Sequence, residues 1–247
     1  MFVGEILPYE RLKVRPLGAI LFLGGILIMA KSKFSTRYVA VCAMFCAIAY
    51  VLTLIGQLVP QVAGFLSYDP KDVAVVIIGF ILGPLASVFV SVIVSFIEMI
   101  SISGTGPIGF LMNVLSTCAF AVPAAIVYKK YHSQKGAIFG LAIGVVSMAA
   151  CMILWNYIVT PMYMHVPRPV VVGMLLPVFL PFNLVKGAIN ALLTMLVYKP
   201  VVGSLRAAKL IDQGPSGKGK LKPGYLIVTL VLLAVFVVLF LKLAGKI

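Results

Sequence analysis

Residues 37–59 read RYVAVCAMFCAIAYVLTLIGQLV and contain one charged side chain, that of Arg37. The hydrocarbon core of a bilayer is about 30 Å thick, and a helix needs roughly 20 mainly apolar residues to cross it. This stretch is therefore predicted to be a transmembrane helix. Outward from it, the apolar runs and the Gly and Pro residues between them predict five further core helices, at residues 71–82, 85–102, 108–128, 136–159 and 171–198.

The composition places the whole chain in the same class. Of its 247 residues, 62% are hydrophobic and 11% charged, whereas a typical soluble chain is about half apolar and about a quarter charged. This excludes a solvated globular domain, a disordered tail and a nucleic-acid-binding module. A seventh apolar run, at residues 225–244, is almost purely aliphatic. The predicted fold class is an all-α integral membrane protein, with a six-helix transmembrane bundle and one additional C-terminal transmembrane helix.

Three features interrupt the regular helical pattern. The Gly83-Pro84 pair predicts the turn between the second and third helices. Pro177 and Pro181 are expected to kink the sixth helix or to delay its start, because proline has no backbone N–H. The second helix is short for a span, so the loop at 61–70 is expected to fold back into the protein, as backbone can where it lines a cavity.

The sequence divides into four predicted segments: an N-terminal extension at 1–33, the six-helix core at 34–200, a cytoplasmic linker at 201–224 and the extra helix at 225–247. The apolar run at 17–29 is too short to span a membrane and has the length of a signal-peptide core, but no small-residue cleavage site follows it. Residues 24–29 also have the sequence that a purine-rich ribosome-binding site would encode if it were translated in frame ahead of a start codon at Met29. We therefore expect Met29 to be the natural start, in which case the extension is not native.

Basic residues predict the orientation in the membrane. The formal charge is +14, and Lys and Arg collect in cytoplasmic loops. We expect the N-terminus of the core, the loop between helices four and five and the segment after helix six to be cytoplasmic. These parts hold Lys31, Lys33, Arg37, Lys129, Lys130, Lys135, Lys199, Arg206, Lys209, Lys218, Lys220 and Lys222, whereas the opposite side holds Lys71, Arg168, Lys242 and Lys246.

A few polar side chains lie inside the predicted helices. The ionisable ones among them are predicted to be Glu98 and Lys186. An intramembrane charge costs roughly 2.5 to 3.5 kcal/mol, so such residues are functional candidates. Asn183 lies one turn before Lys186 and Asn190 one turn after it, on one helix face that is expected to look into the protein. Together with Asn156, Asn183 and Lys186 indicate a pocket that opens outward. A Glu98–Lys186 ion pair of purely structural role is the alternative interpretation.

The same helices lack the residue patterns of catalysis and metal binding. The sequence contains no phosphate-binding Gly-rich loop, no His pair with metal-ligand spacing and no intramembrane cluster of paired acids. We therefore predict no catalytic residues, no metal site and no cofactor, so that any ATP would be hydrolysed by another chain.

Five local strings resemble one family. They are FLSYDPKD at 65–72, GFILGP at 79–84, GPIGFLMN at 106–113, NYIVTPMY at 156–163 and PFNLVKG at 181–187. In this order they are similar to the substrate-binding S components of energy-coupling-factor (ECF) vitamin importers, in particular the riboflavin-specific branch. The resemblance covers about residues 34–198 and excludes the extension, the linker and the seventh helix.

The resemblance implies a bacterial cell-membrane protein that binds riboflavin on its outer face with high affinity and takes part in its uptake. It also implies three partners, a transmembrane coupling subunit and two cytoplasmic ATPase subunits. On the first helix, Ala40, Ala43 and Ala47 lie along one face, and small residues at such spacing let another helix approach closely. By similarity, this face matches the surface for the coupling subunit.

The resemblance also implies a set of ligand-binding residues. The positions that match the family's polar contacts are Glu98, Asn156, Asn183 and Lys186. The flat ring of riboflavin would need apolar walls as well. We expect these walls from Phe65, Leu66, Trp155 and Tyr157.

Two alternatives stay open from the sequence. One is an S component for thiamine, biotin or folate, although a single Glu98 balanced by Lys186 favours a neutral ligand. The other is a protein of a different class, either a stand-alone secondary transporter or a small membrane enzyme. Ion-coupled carriers usually show intramembrane acids for the coupling ion and often an internal repeat.

Overall fold

The computed structural model describes residues 19–23, 26–30, 36–211 and 223–246. Most of the predicted N-terminal extension and residues 212–222 of the predicted linker lie outside the described residues. The chain divides into two compact units, Met1–Val41 and Cys42–Ile247. In the first unit, strands β1 (Ala19–Leu23) and β2 (Ile26–Ala30) form an antiparallel hairpin with Ala19 opposite Ala30. Met29 lies in β2, and its role as the natural start stays a prediction.

The described residues from 36 onward are mainly helical. The helices are α1 (Thr36–Gly56), α2 (Lys71–Leu82), α3 (Pro84–Ser101), α4 (Gly106–Tyr131), α5 (Gln134–Ile158), α6 (Thr160–Tyr163), α7 (Arg168–Met174), α8 (Leu180–Ala207) and α9 (Pro223–Leu243). A π-helical segment, Leu175–Phe179, joins α7 to α8. The predicted bundle with one additional C-terminal helix is confirmed. Because α8 continues to Ala207, residues 201–207 are helical and do not belong to the linker, contrary to the predicted boundary.

Most of these helices are suited to a bilayer. Within the described part of the chain, the segments long and apolar enough to cross a membrane are Thr36–Gly56, Pro84–Ser101, Gly106–Tyr131, Gln134–Ile158, Arg168–Ala207 and Leu226–Leu243. Helix α2 has 12 residues and a length of roughly 18 Å, well short of the hydrocarbon core. Large apolar side chains such as Leu85, Val146 and Leu176 are exposed on the surface, where lipid would surround them. The chain is a multi-pass membrane protein.

Glycine and proline set the boundary between α2 and α3. Gly83 has a φ of 99°, a conformation that a side chain disfavours. Pro84 is the first residue of α3, where a missing backbone N–H costs no intrahelical hydrogen bond. The predicted turn is confirmed, and it places the first turn of α2 and the last turn of α3 at the same end of the bundle.

The two prolines of the sixth predicted helix delay the start of α8. Pro177 lies inside the π-helical segment, and Pro181 lies in the first turn of α8. Because proline lacks a backbone N–H and its ring collides with the preceding turn, a regular α-helix is interrupted here. The wider π-turn accommodates the interruption. The first turns of α8 then carry Asn183 and Lys186, both of them buried.

Helix α2 is enclosed by its neighbours α3, α4 and α8. Every residue from Lys71 to Phe80 is buried. Helices α4 and α5 approach each other closely because glycine lies between them. A Cβ atom at Gly144 would lie only 2.4 Å from the backbone oxygen of Phe120. Small residues at such positions allow the tight helix packing that is common in membranes.

The loop before α2 folds back against the helices, as predicted. The backbone N–H of Val62 donates to the carbonyl oxygen of Leu66 at 2.9 Å, which closes a tight turn. Val62 is buried and packs with Phe182 and Val185 of α8. Phe240 of α9 belongs to the same apolar cluster, so the C-terminal helix touches the core at this point, although most of its surface is exposed.

Candidate functional site

The first turn of α2 carries two charged side chains into the bundle. Lys71 and Asp72 are both 0% exposed. The sequence predicts Glu98 and Lys186 as the ionisable residues of the core, and both are buried, but Lys71 and Asp72 are missing from this prediction. The prediction that Lys71 lies in an outer loop is wrong, because it is the first residue of α2. Since α2 is enclosed by three helices, its first turn is as buried as its middle. We call Asp69, Lys71, Asp72, Glu98 and Lys186 the charge cluster.

Lys71 connects the loop before α2 to α3. Its Nζ atom donates to Oε2 of Glu98 at 2.7 Å and forms an ion pair with Asp69. Oε1 of Glu98 accepts a 2.8 Å hydrogen bond from Nδ2 of Asn113 in α4. Buried charges are tolerated when they are paired and hydrogen-bonded in this way. Glu98 is thus paired with Lys71, and the alternative interpretation of a Glu98–Lys186 ion pair is wrong.

Asp72, in the first turn of α2, is bonded to side chains of both α4 and α8. Its Oδ1 atom accepts a 2.7 Å hydrogen bond from Oγ1 of Thr117. Its Oδ2 atom accepts from Nδ2 of Asn190 at 3.2 Å and lies 3.8 Å from Nζ of Lys186. Lys186 therefore has Asp72 as its carboxylate partner. With three carboxylates and two ammonium groups, the fully ionised charge cluster carries one net negative charge, which replaces the balanced pair expected from the sequence.

The end of the loop lies directly over the charge cluster. The hydroxyl of Tyr68 donates to Oδ1 of Asn190 at 2.7 Å, and Nδ2 of Asn190 donates to the backbone oxygen of Asp69 at 3.0 Å. Burial, together with the negative charges of Asp72 and Asp69, raises the pKa of Tyr68 above its ordinary value, so the phenol keeps its proton for this bond. A single amide on α8 thus holds two consecutive loop residues.

Asp69 is the charged residue of that loop. Burial alone would raise the pKa of its carboxyl group, but the positive charges of Lys71 and Lys186 and the hydrogen bonds from Lys71 outweigh this effect. They hold the pKa of Asp69 below its ordinary value. Asp69 therefore stays ionised at neutral pH and remains an ion-pair partner of Lys71.

The two predicted amides are buried in α5 and α8. Nδ2 of Asn156 donates to the backbone oxygen of Met152 at 2.7 Å, and its Oδ1 accepts from Thr160 at 2.8 Å. Nδ2 of Asn183 donates to the backbone oxygen of Phe179 at 2.8 Å. An amide group has two donor hydrogens and two acceptor lone pairs. These bonds therefore use only part of the capacity of each side chain.

The predicted wall residues are not brought together as one surface. Phe65 packs on Phe179, with ring centroids 5.9 Å apart, and Leu66 packs on the apolar cluster around Val62. Trp155 lines a cavity of about 40 Å³ between α4 and α5. Tyr157 is 42% exposed, and its ring lies 5.4 Å from the guanidinium of Arg168.

Sequence reasoning misses several members of this polar region. Besides Lys71 and Asp72, they are Tyr68, Asp69 and Thr117. Asn190, predicted on the inward face of its helix with Asn183 and Lys186, is buried as expected. One sequence signal points to four of the missed residues, since the string FLSYDPKD, which resembles the ECF family, contains Tyr68, Asp69, Lys71 and Asp72. These residues, Glu98 and the amides lie at one end of the bundle, since α2, α4 and α8 begin there and α3 and α5 end there. In the described part of the chain, no three His, Cys, Asp or Glu residues are grouped so as to hold a metal ion.

The small-residue face of α1 is on the surface. Ala43 and Ala47 are exposed, whereas Phe45 and Ala49 are buried. Ala40, one turn before Ala43 in α1, is exposed as well. Such a face leaves room for a second helix to pack closely.

Comparison with known proteins assigns the family. The sequence model of the ECF transporter, substrate-specific component, matches residues 37–198. The chain is 30% identical over 192 residues to the riboflavin transporter FmnP of Bacillus subtilis (strain 168), a match that covers 70% of this chain and 98% of the relative. It is 29% identical over 170 residues to the riboflavin transporter RibU of Staphylococcus aureus (strain TCH60), covering 66% and 89%.

A solved structure agrees with this assignment. The structure, described as the S component of a bacterial ECF transporter, matches with a TM-score of 0.57 and 29% sequence identity. The match covers 69% of this chain and 97% of the solved one. The family match covers α1 through most of α8, which contains the whole charge cluster and both amides. The chain belongs to the family of ECF transporter substrate-specific components, which are transport proteins and not enzymes.

Proposed function

We propose that this chain binds riboflavin at the polar end of the bundle and serves as the substrate-specific subunit of an ATP-driven ECF importer. The observation that carries the proposal is the set of buried amides and charges where α2, α3, α4, α5 and α8 meet. Such groups are costly inside a membrane and are functional candidates for that reason. The names of the relatives, riboflavin transporters FmnP and RibU, supply the ligand.

Riboflavin suits these groups chemically. It is uncharged, with a flat tricyclic ring whose edge mixes N–H and C=O groups and a tail that carries hydroxyls. The amides of Asn156 and Asn183 each combine donors and an acceptor, so they pair with the edge of the ring. Lys186 and Glu98 bind the hydroxyls of the tail. Phe65, Leu66 and Trp155 do not form one surface in the structure, and they supply apolar surface for the ring after the loop has rearranged.

Binding at this place requires the loop to move. The cavity beside Trp155 has a volume of about 40 Å³, enough for a water molecule, whereas ligand pockets measure roughly 300–1,000 Å³. The loop that ends at Tyr68 and Asp69 is attached to the helices by few hydrogen bonds, those to Asn190 among them. Its displacement opens the polar end of the bundle to the ligand.

The chain has a defined orientation in the membrane and a defined docking face for its partners. The polar end faces the outside of the cell. The opposite end, with Lys129 and Lys130 in the last turn of α4 and Lys135 in the first turn of α5, faces the cytoplasm. A transmembrane coupling subunit packs on the alanine face of α1, and two ATPase subunits supply the energy. The exposure of Ala43 and Ala47 supports this docking face.

Trp155 provides the test because it is the only tryptophan in the sequence. The purified full-length protein in lipid nanodiscs is titrated with riboflavin, thiamine and biotin while tryptophan emission is recorded. We expect saturable quenching by riboflavin at submicromolar concentration and none by the other two vitamins. Saturable quenching by thiamine or biotin alone would assign another vitamin, and no quenching together with no flavin binding by equilibrium dialysis would contradict the proposal.

A transport assay separates the importer from a stand-alone carrier. Proteoliposomes containing this chain alone are loaded with a proton gradient and tested for riboflavin uptake. We expect no uptake without the coupling and ATPase subunits. Uptake driven by the gradient alone would favour a secondary transporter.

A further inference from the structure

Helix α9 reaches the loop that covers the charge cluster. Phe240, in the last turns of α9, is 4% exposed. Its ring lies edge-on to that of Tyr68, with centroids 5.6 Å apart and an interplanar angle of 68°. It also packs against the ring of Phe182 in α8, at 6.3 Å. Phe240 thus touches both the loop and the helix from which the loop must separate.

The contact is part of a wider apolar surface. Phe240 lies in one buried cluster with Val62 of the loop and with Val185 and Ile189 of α8. The partly buried residues packed around this cluster are Val59, Leu66, Tyr68, Leu193, Leu233, Phe236, Leu243 and Ala244. Residues from the loop, from α8 and from α9 therefore share a single core, and the loop cannot leave α8 without also leaving α9.

This helix lies beyond the part of the chain that the family match covers. The match ends at residue 198, and α9 begins at Pro223. The rest of α9 is mostly exposed apolar surface, as expected of a helix that faces lipid. One face of α9, with Thr229, Leu233 and Phe236, is buried or partly buried along the helix, and near its end Phe240 on this face contacts the ring of Tyr68 in the loop.

We propose that Phe240 is a positioning residue that holds the Tyr68 loop closed over the ligand site and slows both entry and release of the ligand. The inference rests on the proposed function, because the ligand is taken to be riboflavin. Edge-to-face aromatic pairs add about 0.5–1.5 kcal/mol beyond their area burial, which corresponds to roughly 2- to 13-fold in a rate constant. Phe240 acts through Tyr68 and does not contact the ligand.

The test compares Phe240→Ala with Leu239→Ala, a neighbour on α9 that is exposed to lipid. Stopped-flow quenching of Trp155 in nanodiscs measures the association and dissociation rates of riboflavin. We expect Phe240→Ala to raise both rates by roughly 2- to 13-fold with a much smaller change in Kd, and Leu239→Ala to change neither. Phe240→Leu keeps apolar volume without the ring, so its two rates should lie between those of Phe240→Ala and Leu239→Ala. This variant keeps the inference testable if Phe240→Ala does not fold.

A second measurement needs no ligand. Hydrogen–deuterium exchange of the backbone amides of Val62, Phe65 and Leu66 reports loop opening, because these amides are bonded within the loop turn. We expect faster exchange in Phe240→Ala and wild-type exchange in Leu239→Ala. Unchanged exchange and unchanged rates in a folded Phe240→Ala or Phe240→Leu variant would overturn the inference. Faster exchange in a protein that does not bind riboflavin would leave the positioning role standing and would contradict the proposed ligand.

Discussion

The Nζ atom of Lys71 lies 2.7 Å from Oε2 of Glu98, between two helices that are adjacent in sequence. Lys71 is also paired with Asp69 and is fully buried. The first turn of α2 is therefore connected to the last turns of α3 and to the preceding loop by one ammonium group. This link fixes the positions of the loop, α2 and α3 relative to one another at the polar end of the bundle.

Replacement of Lys71 should destabilise the protein strongly. Lys71→Met leaves the carboxylates of Glu98 and Asp69 without their ammonium partner, and breaking a buried pair in this way costs about 3–5 kcal/mol. The matched control is Lys135→Met, since Lys135 is exposed at the opposite end. Thermal unfolding in detergent checks the difference. Equal melting temperatures for the two variants would contradict the role given to Lys71.

Asp69 should make the stability depend on pH in the acid range only. Because its pKa is lowered in the folded protein, its contribution is fully present above the ordinary Asp value of about 3.9 and is lost as pH falls through the lower folded value. Thermal unfolding of wild type and Asp69→Asn between pH 3 and pH 8 measures this contribution. The difference should stay constant from pH 8 to 5 and shrink below about pH 4. A difference that disappears between pH 7 and 5 would show that Asp69 is not held ionised.

Gly144 should be intolerant of any side chain. A Cβ atom there would lie 2.4 Å from the backbone oxygen of Phe120 and 3.1 Å from its ring, so α4 and α5 must separate in Gly144→Ala, at a cost of about 1–3 kcal/mol. Gly203 in α8 is the matched control, because its added Cβ would meet nothing within 4 Å. Gly203→Ala should stabilise by up to about 1 kcal/mol through helix propensity. The same loss of stability in both variants would contradict close packing at Gly144.

The alanine face of α1 should govern assembly without affecting ligand binding. Ala43→Trp places a large ring on the exposed face where we propose that the coupling subunit packs. Co-purification with the proposed coupling and ATPase subunits should therefore fall at least tenfold, as expected for a loss of about 1.4 kcal/mol or more. Ala142→Trp, at an exposed position of α5, is the control. Riboflavin binding should remain unchanged in both. Normal assembly of the Ala43→Trp protein would assign the docking surface elsewhere.

The helical fold was predictable from local sequence because each helix boundary has a local cause. The length of each apolar run predicts a membrane-spanning helix. Gly83 and Pro84 predict the turn between α2 and α3, and Pro177 predicts the interruption before α8. The end of α8 was not predictable in this way. Residues 201–207 are less apolar, and they continue the helix because Val202 and Leu205 are buried against the core.

The composition of the charge cluster was only partly predictable. Glu98 and Lys186 stand out because they interrupt long apolar runs. Lys71 and Asp72 follow a proline at the start of a helix, and such a position is usually exposed. Their burial is decided by three helices packing around α2, which is a tertiary effect that no local pattern reports. The opposite error occurs at Tyr157, which is predicted to line the site because it follows Asn156 in sequence. Its ring instead lies against Arg168 on the surface.

The central claim, that buried polar groups at one end of the bundle bind riboflavin, is tested most directly by the Kd of riboflavin for Asn183→Ala and Lys186→Ala, with Lys135→Ala as control. Loss of a buried polar partner costs about 1–3 kcal/mol, so each variant should bind about 5- to 150-fold more weakly than wild type, while the control binds as wild type does. Wild-type affinity in both folded variants would contradict the claim and leave these side chains with a structural role alone.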